Sequence, residues 1–193
     1  MSGERIAVLG VGQTKYRSTR GDVSIAGLVR EAAYRALEDA QLGWGDIDAV
    51  VIGKAPDFFE GVMMPELYLA DALGCVGKPM LRVHTAGSVG GSTALVAASL
   101  VQARIHRRVL TLGFEKQSES NATWALSLPQ PFSVSANAGA GGYFSPIIRQ
   151  YMARSGAPDL IGCMVAFKDR QNALLNPYAP LHQHDLTFEK VVE

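Results

Sequence analysis

Cysteine is scarce in this chain: Cys75 and Cys163 are the only two in 193 residues. They have no metal-ligand spacing and are too few for a disulfide framework, so a reducing cytoplasm is expected; Cys75, in a loop after a helix, reads as incidental, and Cys163, within an apolar helical segment, as a core residue. A dominant charge sign is also missing, with 18 basic residues balanced by 18 acidic ones. That balance argues against a nucleic-acid partner, and the lack of a charged tail argues against a membrane surface or a highly charged partner. The start, Met1 to Arg5 and then a short apolar run, is too brief for a signal peptide. No internal repeat is present. The one long uncharged stretch, Val83–Ala103, is too rich in serine, threonine and glycine to read as a membrane span. What remains is 48% apolar residues, enough for a globular domain with a real core.

Short apolar runs alternate with helical periodicity over the first 114 residues. Ile6–Leu9 reads as a buried strand ended by Gly10-Val11-Gly12. Ser24 is placed to cap a helix running to about Leu42, with Ile25, Leu28, Val29, Ala32, Ala33, Ala36, Leu37 and Ala40 on one stripe. A turn at Gly45–Asp48 leads to strand Ala49–Gly53, and Pro65–Leu73 predicts a helix closing at Gly74. Strand Met80–His84, helix Val89–Ile105 and strand Val109–Phe114 follow. Such alternation implies an α/β layered domain with an at least partly parallel sheet. The expected domain spans residues 1–116. Residues 117–193 form a loop or cap region: an irregular excursion over Gln117–Gly142, helical spacing in Tyr143–Ser155 and Ile161–Leu174, and a loop-like end.

The segment Arg82-Val-His-Thr-Ala-Gly87-Ser88-Val-Gly-Gly-Ser-Thr-Ala-Leu95 reads as a strand, a glycine-rich turn and a helix. Its helix is small or apolar on every face, which predicts burial on all sides. Such an elbow presents one side chain and a row of free backbone N–H groups. Gly10-Val-Gly12-Gln-Thr is not a dinucleotide site, because the third glycine is missing and no helix starts directly after it. His182 and His184 lie two apart on a loop with no third ligand nearby, so no metal site is expected.

Three segments together resemble the thiolase superfamily, in the branch holding the thiolase-like part of sterol carrier protein and bacterial lipid-transfer proteins. They are the elbow Val83–Leu95, the run Gly113-Phe-Glu-Lys-Gln-Ser118, and Asn176-Pro-Tyr-Ala179 followed by Leu186-Thr-Phe-Glu-Lys-Val-Val192. Gly10-Val-Gly12-Gln-Thr also fits, and the likeness covers essentially the whole chain. The resemblance implies two stacked α/β halves with buried helices between their sheets, usually as a homodimer. On that reading this chain is an N-terminal half: a mixed, mostly parallel sheet with a buried central helix, plus the start of an irregular loop domain. It stops before the C-terminal half and is inactive alone.

The resemblance also implies chemistry on coenzyme A thioesters, as substrate and not as a permanently bound cofactor. Thiolases carry an acyl-accepting cysteine at the elbow, where a helix N-terminus favours a thiolate. No cysteine stands there in this chain. Alignment on Gly91-Ser-Thr-Ala-Leu95 places Ser88 at that position, and alignment from Arg82-Val83 places Gly87 there. A serine nucleophile needs a positioned base, and His84 is the residue nearest in sequence. For Ser88 a turn or cap role stands beside the nucleophilic one, and for His84 a core role stands beside a pocket-lining one. Gly90 and Gly91, with Gly87, are placed to offer N–H groups to a thioester oxygen. Arg149 and Lys168 fall where the family contacts coenzyme A, although a solvated helix face is the better reading of each. Glu115, Lys116 and Asn121 follow a strand end, where an ion pair or a site residue would fit.

Three functions follow from the resemblance. Retro-aldol cleavage of a β-hydroxyacyl-CoA in lipid or steroid side-chain degradation is favoured by the missing cysteine, often with a partner carrying an OB-like domain. Claisen acyl transfer with an altered nucleophile is the second. A non-catalytic lipid-transfer or acyl-CoA-binding subunit is the third.

Overall fold

A computed structural model of the chain describes residues 5–54, 64–119 and 139–193. It divides into two compact units, Met1–Thr14 with Ser18–Ser120, and Lys15–Arg17 with Asn121–Glu193.

The first unit is built on three parallel strands in the order β2-β1-β3: β1 is Ala49–Gly53, β2 Met80–Val83 and β3 Val109–Gly113. Gly53 is in register with both Val83 and Gly113, so the three strands finish level. All five residues of β1 are buried, as expected for a central strand covered on both faces. Helix α1 (Ile25–Asp39) starts at Ser24, whose side chain accepts the Gly27 N–H at 3.0 Å. It buries Leu28, Val29, Ala33 and Leu37. These pack with Val50 and Ile52 of β1, Leu110 and Leu112 of β3, Leu69 of α2 (Pro65–Leu69), and Leu73 and Cys75. Alternation along the strands gives the other sheet face to α3 (Val89–Gln102), which rests there through Thr93 and Ala97. The result is a helix–sheet–helix sandwich.

Four features differ from the sequence reading. Residues 6–9 are extended but join no sheet among the described residues, and Val8 and Leu9 are exposed. The segment instead lies along α1. The Val11 N–H donates to Asp39 Oδ2 at 2.8 Å. A Cβ on Gly10 would stand 2.4 Å from the Ala36 carbonyl oxygen, and one on Gly12 2.3 Å from that of Ala32. Only glycine permits so close an approach, which gives this Gly-x-Gly a packing purpose.

The helix ends also differ. Both α1 and α3 finish earlier than their apolar periodicity suggests, at left-handed residues that are not glycine: Gln41 (φ 55°) and Arg104 (φ 58°). In each, the next residue's N–H reaches back five positions in the Schellman pattern, Leu42 to Leu37 and Ile105 to Leu100. Third, α3 is covered on one face only: Thr93 and Ala97 are buried, whereas Leu95 is exposed. No element among the described residues covers its outer face. Fourth, Cys75 is a core residue, not an incidental loop cysteine, and burial pushes its thiol above the ordinary range.

In the second unit, α4 (Gly139–Ser155) and α5 (Ile161–Ala173) occupy the two stretches of helical spacing. Cys163, expected in a core, is half-buried on α5. The expected loop at the end contains a short helix, α6 (Phe188–Val192), capped by Thr187 and packed on α5 through Phe167 and Phe188, rings 5.9 Å apart and edge to face. The irregular excursion lies outside the described residues over 120–138, as does Asn121. No helix among the described residues is long and apolar enough to cross a membrane.

Candidate functional site

β2 ends at Val83, and the chain passes through His84 and Thr85 into a single 3₁₀ turn, Ala86–Ser88, before α3 begins. Ala86 holds a left-handed φ of 49°. Hydroxyl bonds tie the turn together. Ser88 Oγ donates to the Thr85 carbonyl at 2.8 Å, and Thr85 Oγ1 donates to Ser92 Oγ at 2.8 Å. The helix start therefore has no side-chain cap: Ser88 sits at the N-cap position but directs its hydroxyl backwards. The first-turn N–H groups have no acceptor within the helix, as at any helix start. A Cβ added to Gly87, Gly90 or Gly91 would meet nothing within 4 Å. Among the described residues, packing does not require those glycines, and the backbone beside them is accessible.

Helix α3 approaches the sheet closely beneath this turn. A Cβ on Gly53 would lie 2.0 Å from Thr93 Oγ1 and 3.3 Å from Val89 Cγ2. Thr93 in turn donates to the Val89 carbonyl at 2.6 Å. The first turn of α3 thus rests on the carboxyl end of the central strand. Strand order reverses about β1, since β2 lies on one side and β3 on the other. The carboxyl side of such a reversal is where open α/β sheets bind their ligands.

The candidates separate into groups. His84, Gly87, Ser88, Gly90 and Gly91 share the elbow and are exposed. Ser88 is bonded to a backbone carbonyl, and neither His84 nor any other base is hydrogen-bonded to it among the described residues. Arg149 on α4 and Lys168 on α5 belong to the second unit, where both are exposed and Lys168 pairs with Asp169 at 3.1 Å. His182 bonds the Asn176 carbonyl at 2.8 Å, and His184 is exposed.

One residue escaped the sequence reading. Lys54, immediately after β1, is buried at 1% exposure, and its Nζ lies 3.8 Å from Glu115 Oε2. The signal for it was a single charge closing an otherwise apolar buried strand. Next to Glu115, Lys116 is also buried; it donates to the Val23 carbonyl at 2.7 Å and pairs with Glu119. The Glu115–Lys116 pair thus ties β3 to the exit of β1 and to the start of α1.

Comparison with known proteins agrees with this architecture. No family model matches the chain. It is 25% identical over 202 residues to sterol carrier protein 2 of Homo sapiens, covering 97% of the chain and 36% of that protein. It is 28% identical over 192 residues to the acetyl-CoA acetyltransferase of Methanothermobacter thermautotrophicus, covering 97% and 49%. Among solved structures, the Ltp2-ChsH2(DUF35) aldolase superposes with a TM-score of 0.71 at 27% identity, covering 95% of the chain and 47% of that one. The chain spans half or less of the length of each. Elbow, parallel sheet and relatives agree: the likeness to sterol carrier protein 2, to the acetyl-CoA acetyltransferase and to the Ltp2 aldolase supports the thiolase superfamily, in its sterol carrier protein branch.

Proposed function

We propose that the protein carrying this chain acts on coenzyme A thioesters and cleaves a carbon–carbon bond by a retro-aldol reaction. Lipid or steroid side-chain degradation is the setting. The observation that carries this reading is the uncapped start of α3, with Gly87, Gly90 and Gly91 facing open space and no cysteine in the turn. Free N–H groups at the positive end of a helix suit a thioester oxygen that gains charge as the reaction proceeds.

In that reaction a base removes the β-hydroxyl proton, the Cα–Cβ bond breaks, and its electron pair passes to the thioester as an enolate. A carbonyl compound leaves, and protonation at Cα gives the shortened acyl-CoA. The elbow holds the oxygen of that enolate. No acyl-enzyme is needed, in keeping with a Ser88 hydroxyl already bonded to Thr85. Arg149 and Lys168 are assigned to the coenzyme A phosphates on the family resemblance alone. A homodimer, and a partner with an OB-like domain, are proposed from the resemblance; the aldolase neighbour is itself named as a two-protein assembly. Cytoplasmic residence is proposed from the cysteine content.

A second reading, acyl-CoA binding without catalysis, is favoured by the lack of a base bonded to Ser88 among the described residues. The full-length protein, with and without its partner, should be offered a tertiary β-hydroxyacyl-CoA and, separately, a 3-ketoacyl-CoA with coenzyme A. Cleavage of the first supports the lyase, and thiolysis of the second overturns it in favour of acyl transfer. Binding with no turnover of either leaves the carrier.

A further inference from the structure

The Lys54–Glu115 pair lies outside the elbow, yet the backbone links it to the elbow directly. Lys54 is the first residue beyond β1, and Glu115 is the second beyond β3. Between them, the Phe114 N–H donates to the Gly53 carbonyl at 3.2 Å, so the ladder runs to the last residue before the charges. Gly53 is also the residue on which Val89 and Thr93, in the first two turns of α3, are seated. Opposite charges are thus drawn together one residue beyond the support of the elbow helix. A lysine buried to 1% exposure is rarely tolerated without a compensating charge.

We infer that Lys54 and Glu115 are a positioning pair, which holds the exits of β1 and β3 together and so fixes the seat of the first turn of α3. Neither residue touches a reacting atom on this account. Removing Glu115 takes a compensating charge from a buried lysine, and removing Lys54 takes the cation from a partly buried carboxylate; either lets the two exits part, and Gly53 then no longer presents a firm surface to Thr93. The inference about elbow geometry stands on the fold; its value for acyl-CoA binding rests on the proposed function.

The test is residue-resolved amide hydrogen exchange on the full-length protein, under conditions where native opening is measured. Lys54→Met and Glu115→Gln should each raise exchange at residues 86–92 on the order of a hundredfold, since breaking a buried pair by removing one partner is costly. The charge-swapped double variant, Lys54→Glu with Glu115→Lys, should restore most of that protection. Lys116→Met is the control: it loses the bond to Val23 and should loosen the start of α1 while leaving residues 86–92 as they were. If Lys54→Met does not fold, the isosteric Glu115→Gln and the swap decide the matter. An equal rise across the whole first unit, or an unchanged elbow, overturns the inference. Binding of a saturated acyl-CoA is measured in parallel. A loosened elbow with unchanged acyl-CoA affinity sustains the positioning pair and sinks the elbow as the thioester site.

Discussion

Gly53 and Thr93 are packed so closely that the threonine side chain occupies the space a Cβ on the glycine would need: that atom would lie 2.0 Å from the threonine hydroxyl and 3.1 Å from its Cβ. The contact sets the height of α3 above β1. Gly53→Ala should therefore destabilise the protein by about 2 kcal/mol, the usual cost of an extra methyl group in a filled site. Combining it with Thr93→Ala should recover part of that loss, because the threonine hydroxyl is the nearest obstacle. A double-mutant cycle in urea checks this, and strict additivity would count against the contact.

Gly90 and Gly91 make the opposite case. With nothing beyond the helix's own backbone within 4 Å of a Cβ at either position among the described residues, Gly90→Ala should fold normally and gain up to about 1 kcal/mol of helix stability. Its acyl-CoA affinity should nevertheless fall, because the methyl group stands where the thioester is proposed to approach. A stabilised variant with undiminished binding would move the ligand elsewhere.

Ser88→Ala distinguishes the reaction classes. A lyase using only the backbone of the elbow should keep its turnover to within about tenfold, whereas loss of a nucleophile costs several orders of magnitude. Steady-state kinetics on the β-hydroxyacyl-CoA give the answer.

Asp48 governs the acid limb. Its carboxylate accepts the backbone N–H groups of both Arg107 and Arg108 at 2.9 Å, and these bonds hold its pKa below the ordinary aspartate value. A folded-state pKa below the unfolded one contributes stability above about pH 3.9, which is lost as pH falls from there through the folded value. Asp48→Ala should cost about 1 kcal/mol at neutral pH, as the loss of a helix cap does, and flatten the decline below pH 4. Urea midpoints between pH 3 and 7 test it.

The two cysteines should separate in reactivity. The thiolate is the reactive form, and burial both raises the Cys75 pKa and shields it. Alkylation followed by peptide mapping should find Cys163 modified first and Cys75 only as the protein unfolds. Equal rates would contradict the core placement of Cys75.

The sandwich was legible wherever a local rule and the tertiary environment pointed the same way. Ser24 and the stripe beginning at Ile25 mark α1, and the apolar run Ala49–Gly53 appears as β1 with the same bounds. Helix ends were overrun because Gln41 and Arg104 take the left-handed conformation that a reader assigns to glycine. Ile6–Leu9 has the composition of a strand, but pairing is a property of neighbours, and the glycines after it serve contact with α1. At the site, the glycines of the elbow were readable as a pattern. The buried charge of Lys54 was not, because its partner lies 61 positions away in sequence and only the parallel register brings them together.

Ala86 holds a conformation that glycine would adopt without strain. Alanine there narrows what the turn can do. A glycine could wander among several backbone conformations when the helix start is unoccupied, and a ligand would have to collect them into one. With alanine, fewer conformations compete, and the hydroxyl bonds of Thr85 and Ser88 hold the one observed. Part of the ordering that binding would otherwise demand is thus completed during folding, so the elbow meets its ligand already shaped.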